Sequence, residues 1–191
     1  MALNFRKIHR KIAPIVFLPL LASALTGIAY RVGRSWFNIP NQLANFFMVI
    51  HQGEYLGQPL VPIYVLLVGL GLIAMIVTGL SMTKLFDSNR SSPKTSKLNF
   101  RKVHRILAPI AFLPLAVSAL TGIIYKLGRT WFGMPGEQAA LFLRIHQGTY
   151  LGPALRTFYV LLVGLGLLVM SITGIRISGI FRKRPASNVG S

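Results

Sequence analysis

The chain has 191 residues and a formal net charge of +18, from 21 lysines and arginines against three acids. Hydrophobic residues make up 53% and charged residues 13%, against roughly 25% charged in an ordinary soluble domain, a balance that excludes a water-facing globular surface and points to a membrane protein. The absence of cysteine excludes disulfides, thiolate-held iron–sulfur or zinc centres and covalent c-type haem.

In chain order, Arg6, Lys7, Arg10 and Lys11 precede an apolar stretch at 12–33, long enough for a membrane helix, which takes about 20 residues. Pro14 and Pro19 interrupt it, and kinks are expected there, with neighbouring helices satisfying the freed carbonyls. The basic start followed by Ala22-Ser23-Ala24 also has the form of a secretory signal with its cleavage site. The equivalent Val117-Ser118-Ala119 lies mid-chain, so the segment is expected to be retained as structure. A loop at 34–60 carries His51 in IHQGEYLG, and a second span follows at 61–82. Residues 87–96, rich in Ser, Asn and Lys, read as a flexible linker. The third span is expected at 106–128, again with two prolines (Pro109 and Pro114). A loop at 129–156 carries His146 in IHQGTYLG, the fourth span lies at 157–180, and residues 185–191 form a disordered tail.

The second half repeats the first. LNFRKIHRKIAPIVFLPLLASALTGIAY (3–30) returns as LNFRKVHRILAPIAFLPLAVSALTGIIY (98–125), and YVLLVGLGL from Tyr64 returns from Tyr159, at a constant offset of 95 residues. The expected fold is therefore an all-α integral membrane four-helix bundle made of two tandem hairpins, 1–86 and 97–184. Two helices return each hairpin to its starting side, so both repeats share one orientation and are related by a pseudo-two-fold axis along the membrane normal. Lys84, Arg90, Lys94, Lys97, Arg101, Lys102 and Arg105 fill the linker region, and Arg182, Lys183 and Arg184 follow the last span. Fewer basic residues lie at the other face (Arg31, Arg34, Lys126, Arg129, Arg144 and Arg156). The positive-inside rule then puts both termini and the linker in the cytoplasm, with Tyr30, Trp36, Tyr125 and Trp131 as an aromatic belt at the outer interface. Topology accounts for the basic charge without a nucleic-acid partner.

The repeat pairs all four histidines, His9 with His104 and His51 with His146. Parallel symmetry sets each pair at one depth on opposite sides of the axis, the inner pair at the cytoplasmic interface and the outer pair at the other. This is the arrangement for bis-imidazole binding of two b-type haems. Gly27 and Gly122 finish the first helices near the outer pair, and Gly79 and Gly174 finish the second helices near the inner pair, so each haem would meet two histidines and two glycines. Gly69, Gly71, Gly164 and Gly166 thin the bundle between the levels. The residues equally allow interfacial helix caps and small-residue helix packing. The basic residues beside His9 and His104 could neutralise haem propionates or simply anchor to anionic lipid. The only acids, Glu54, Asp87 and Glu137, lie outside the spans, against a proton- or cation-coupled transporter. No phosphate loop, dinucleotide fingerprint or nucleophile with its base is present, against a hydrolase or a nicotinamide-oxidising reductase.

RKIHRKIAPIVFLPLLASALTGI resembles the first hairpin helix of PepSY-associated transmembrane proteins, and IHQGEYLG followed by GLGLIAMIVTGL resembles its partner. Both copies match. The resemblance implies a membrane electron-transfer protein similar to bacterial siderophore-iron reductases and iron-regulated membrane proteins, with His9, His51, His104 and His146 as ligands of two haems b. It implies a bacterial plasma or thylakoid membrane, a quinol or redox-protein donor, and ferric iron as the first acceptor to consider. Larger relatives carry extracytoplasmic PepSY modules between spans, whereas the loops here are short, which argues against direct reduction of a bulky siderophore. The alternative is a non-enzymatic subunit or assembly factor that packs its glycine faces against a larger membrane complex.

Overall fold

The computed structural model describes residues 4–82 and 99–179. The expected linker at 87–96 and tail at 185–191 lie outside the described residues. Within them the chain forms six α-helices and two short 3-10 turns, with no strand. Four helices are long and apolar enough to cross a membrane.

Helix α1 spans Phe5–Trp36 and α4 spans Phe100–Thr130, both starting well before the apolar stretches at 12–33 and 106–128. Hydropathy registers only the lipid-facing part of a helix, and here the basic first turns are helical too. Side-chain oxygens of Asn4 and Asn99 accept from the backbone N–H of Lys7 and Lys102 at 3.1 and 2.9 Å, satisfying donors that the first turn leaves orphaned. His9 and His104 therefore stand on regular helix. Both helices run unbroken through their prolines.

The loops at 34–60 and 129–156 each hold a further helix, α2 (Asn41–Gln52) and α5 (Gly136–Gln147). Pro40 and Pro135 precede them. Gly53 (φ 74°) and Gly148 (φ 66°) end them in the left-handed region, which only glycine enters at little cost. A Cβ at either glycine would also run into the ring of Tyr64 or Tyr159. The chain then enters α3 (Val61–Met82) or α6 (Gly152–Ser178).

Helix α1 packs on α3 and α6, and α4 packs on the same two, so α1 and α4 are diagonal across the bundle. The repeats exchange contacts symmetrically: Gly69 of α3 faces Ile123 of α4, and Gly164 of α6 faces Ile28 of α1. Both hairpins thus point the same way, related by a two-fold axis along the bundle. Between the two ends, Val16, Leu20, Leu72, Ala111, Leu115 and Ala119 form the buried core. Outward-facing side chains remain apolar, with Ile15, Leu18, Ile110 and Leu162 each at least two-thirds exposed. A surface of that kind is stable only in lipid. The protein is a multi-pass membrane protein.

Candidate functional site

The four histidines fall at two levels of the bundle. His9 and His104, on α1 and α4, lie at the end nearer the chain termini. His51 and His146, each the penultimate residue of α2 and α5, lie at the end that carries these short helices. Along α1, His9 and Gly27 are 18 residues apart, about 27 Å of helix, so the two levels sit near opposite faces of a hydrocarbon core roughly 30 Å thick.

Each imidazole rests on a glycine of its own repeat. A Cβ at Gly27 would lie 3.2 Å from Cε1 of His51, and one at Gly122 3.2 Å from Cε1 of His146. At the terminal end the distances are 3.5 Å from Gly79 to His9 and 3.4 Å from Gly174 to His104. The glycines and histidines thus share levels as the sequence suggests, and the space each glycine leaves is occupied in part by the ring itself.

Hydrogen bonds fix the tautomer of all four rings. Nδ1 of His51 lies 2.9 Å from the backbone carbonyl of Ser23, and Nδ1 of His146 lies 2.8 Å from that of Ser118. A carbonyl only accepts, so each Nδ1 carries the proton. Nδ1 of His9 lies 2.8 Å from Oγ1 of Thr78, and Nδ1 of His104 lies 2.8 Å from Oγ1 of Thr173. These hydroxyls spend their single proton on the carbonyls of Ala74 and Val169, both at 2.6 Å. They must accept from the histidines, and the network again assigns the proton to Nδ1. Nε2 of every ring keeps its lone pair and enters none of the hydrogen bonds among the described residues.

His51 and His146 face each other with ring centroids 6.3 Å apart and planes inclined at 60°. A first-row metal–imidazole bond is about 2.0 Å, so two imidazoles that bind one metal from opposite sides have centroids roughly 6–6.5 Å apart. Burial, reinforced by the charge of His146 and partly opposed by the Ser23 carbonyl, pushes His51 down to about 4. Burial lowers His146 in the same direction, against the Ser118 carbonyl. Both rings are neutral at physiological pH, the form that donates a lone pair. They open on a cavity of about 300 Å³ lined by both repeats, at the lower end of the range of roughly 300–1,000 Å³ for small-molecule sites.

The PepSY-associated TM region model matches residues 31–140, more than half the chain. The chain belongs to this family. Neither the curated proteins nor the solved structures returned a match. The PepSY-associated match straddles both repeats and contains one histidine of each level, His51 and His104.

Within this PepSY-associated bundle several site residues escape the sequence reading. Thr78 and Thr173 belong to Thr-Gly pairs that the sequence sets near the inner histidines for haem or helix packing through their glycines, yet it is their hydroxyls that anchor His9 and His104. The equivalent Thr26 and Thr121 do not anchor a histidine; their hydroxyls return to Ala22 and Val117 of their own helices. Ser23, in the segment with the form of a cleavage site, and its mid-chain counterpart Ser118 supply the carbonyls beneath His51 and His146. Tyr30 and Tyr125 line the cavity, while Trp36 and Trp131 are about half exposed. Arg31 and Lys126, which the sequence assigns to the sparse basic set of one face, also line that cavity, where Arg31 is only 6% exposed. The signal available for all of these is their two-fold register.

Proposed function

We propose that the chain is a b-type di-haem electron carrier of the membrane, one haem between His9 and His104 and the other between His51 and His146. The observation that carries this reading is the set of four Nδ1-anchored imidazoles with bare Nε2 lone pairs, two of them with ring centroids 6.3 Å apart. Anchoring the remote ring nitrogen to a carbonyl or hydroxyl is what metal-ligating histidines ordinarily require, because it fixes ring orientation and raises basicity. Two such imidazoles would hold the iron of a haem, whose porphyrin would bring the remaining donors.

Bound haem supplies reversible one-electron exchange at its iron. The chain's part is to hold the imidazoles neutral and correctly turned, to exclude water with Leu20, Leu72 and Leu115, and to keep two sites near opposite faces. The basic residues in the first turns of α1 and α4 support cytoplasmic termini, with the short-helix end outward, in a bacterial plasma or thylakoid membrane. A quinol or redox protein then serves as donor, and ferric iron is the first acceptor to test.

The full chain, purified in mild detergent from haem-replete cells, is expected to show a b-type reduced-minus-oxidised spectrum with two haems per chain. A colourless protein, or one whose haem survives replacement of all four histidines, overturns this reading in favour of a non-enzymatic membrane subunit.

A further inference from the structure

The cavity between His51 and His146 is electrically lopsided. Toward mid-bundle its wall is apolar, with Leu20, Leu72 and Leu115 at 5, 9 and 5% exposure. Toward the short helices it holds Arg31 and Lys126, which occupy equivalent positions in the two repeats. Each follows by four residues the glycine that seats an imidazole, Gly27 or Gly122. It therefore lies on the same helix face, one turn or about 6 Å further out.

Among the described residues neither cation meets an acid. Arg31 donates to Oε1 of Gln147 at 3.2 Å, and Lys126 donates to Oε1 of Gln52 at 3.1 Å, each crossing to the other repeat. The glutamines directly follow the two histidines. Nε of Arg31 is buried without a hydrogen-bond partner among the described residues. Glu54 and Glu137, the acids among the described residues, do not line the cavity. Arg156, standing where the first repeat has Val61, lies within electrostatic reach of Arg31 and has a buried, unpartnered Nε of its own. Enclosed guanidinium with only neutral partners is costly, and an anion at the same place removes most of that cost.

Resting on the di-haem reading, we propose that Arg31 and Lys126 are the seat of the two haem propionates at the short-helix site. The two-fold axis that exchanges His51 and His146 also exchanges Arg31 and Lys126, so the site offers two matched cations on one side and hydrocarbon on the other. A ligand with two carboxylates on a single edge and an otherwise apolar body fits that division. Arg31, with Arg156 beside it, is the stronger of the two positions.

The test is titration of the haem-depleted full chain in detergent with haemin and with haemin dimethyl ester, following the Soret band. Wild type is expected to bind the ester roughly tenfold or more weakly than haemin at one of its two sites, the order of one charge-assisted hydrogen bond. Arg31→Gln/Lys126→Gln is expected to bind both alike, and Arg31→Lys to recover part of the preference. The single Arg31→Gln is expected to lose more than Lys126→Gln. If wild type binds ester and haemin equally, or if the preference survives in the double variant, the assignment of the propionates is wrong while the di-haem reading stands. If haemin gives no bis-imidazole spectrum, both are wrong. A thermal-shift arm with succinate separates a free dicarboxylate from the propionates: stabilisation of the haem-free chain that depends on Arg31 and Lys126, together with equal binding of ester and haemin, reassigns the seat to a free anion and overturns the proposal.

Discussion

The two histidine levels solve the same problem with different acceptors. At the short-helix end, Nδ1 of His51 and His146 donates to main-chain carbonyls of Ser23 and Ser118, which no side-chain substitution can remove. At the terminal end, Nδ1 of His9 and His104 donates to the hydroxyls of Thr78 and Thr173, which one substitution deletes. The short-helix rings are also seated more tightly on their glycines and open on a cavity that contains two cations. The short-helix end rests on main-chain carbonyls, with the Ser23 and Ser118 hydroxyls further off at 3.3 Å, and the terminal end on threonine hydroxyls, so the two should fail differently under mutation.

The largest expected effect is loss of an entire site. His146→Ala should remove one of two haems and leave the terminal-end spectrum intact, and His9→Ala should do the converse; haem content per chain, read from the pyridine adduct, checks both. Loss of both haems from either substitution would mean that the levels are not independent.

Next in size is a pH effect confined to the short-helix end. His51 is held at about 4 in the folded chain, against about 6.5 for an unperturbed histidine. Between these values the unfolded chain binds more protons than the folded one, so stability rises with pH across that window. The benefit is complete above about pH 6.5, declines as pH falls, and levels off below about 4, on the order of 3 kcal/mol in all. Thermal melts of the haem-free protein should show this slope in wild type and a shallower one in His51→Gln. An unchanged slope in that variant would assign the titration to other groups.

The architecture was legible in the sequence because the duplication carries so much of it. A constant offset fixes the number of hairpins, their common orientation and the pairing of His9 with His104 and His51 with His146, since a parallel repeat leaves equivalent residues little freedom in depth. What hydropathy could not register was helix whose side chains are polar, such as the first turns around Arg6 and Arg101. It also passed over α2 and α5, 12-residue helices too short to span and therefore read as loop. The anchors were hidden for another reason. Thr78 and Ser23 act through contacts 69 and 28 residues away in sequence, and nothing local marks them. Arg31 was hidden by its position, because a basic residue near a span terminus has an ordinary topological explanation until its burial is known.

Deleting a side-chain acceptor should come third. Thr78→Val keeps the shape of the side chain and leaves Nδ1–H of His9 without its partner, a cost of about 1–2 kcal/mol in orientation, and losing the group that orients a ligating histidine typically weakens metal binding about 10–100-fold. Ser23→Ala keeps its carbonyl and should change haem retention at the short-helix end by less than about twofold. Equal losses from the two substitutions would remove the distinction between the ends.

The smallest effect turns on a few tenths of an ångström. Glycine inside a helix is less favourable than alanine by roughly 0.5–1 kcal/mol, so Gly→Ala should stabilise wherever the new methyl has room. At Gly79 the added Cβ would stand 3.5 Å from Cε1 of His9, an ordinary contact. Gly79→Ala is therefore expected to be neutral or slightly stabilising. At Gly27 the distance is 3.2 Å, and His51 can retreat only by stretching its bond to the Ser23 carbonyl, because that acceptor is fixed in α1 and does not follow. The helix gain at Gly27 should then be cancelled or reversed, with the change concentrated in His51. Thermal melts of the two haem-free variants supply the sign, and the ring-proton resonances of His51 and His9 show which imidazole has moved. Gly122→Ala and Gly174→Ala repeat the experiment in the second half, at 3.2 and 3.4 Å. If Gly27 and Gly122 tolerate alanine as well as Gly79 and Gly174 do, the rings at the short-helix end have slack, and their separation is set by the ligand between them instead of by the glycines behind them.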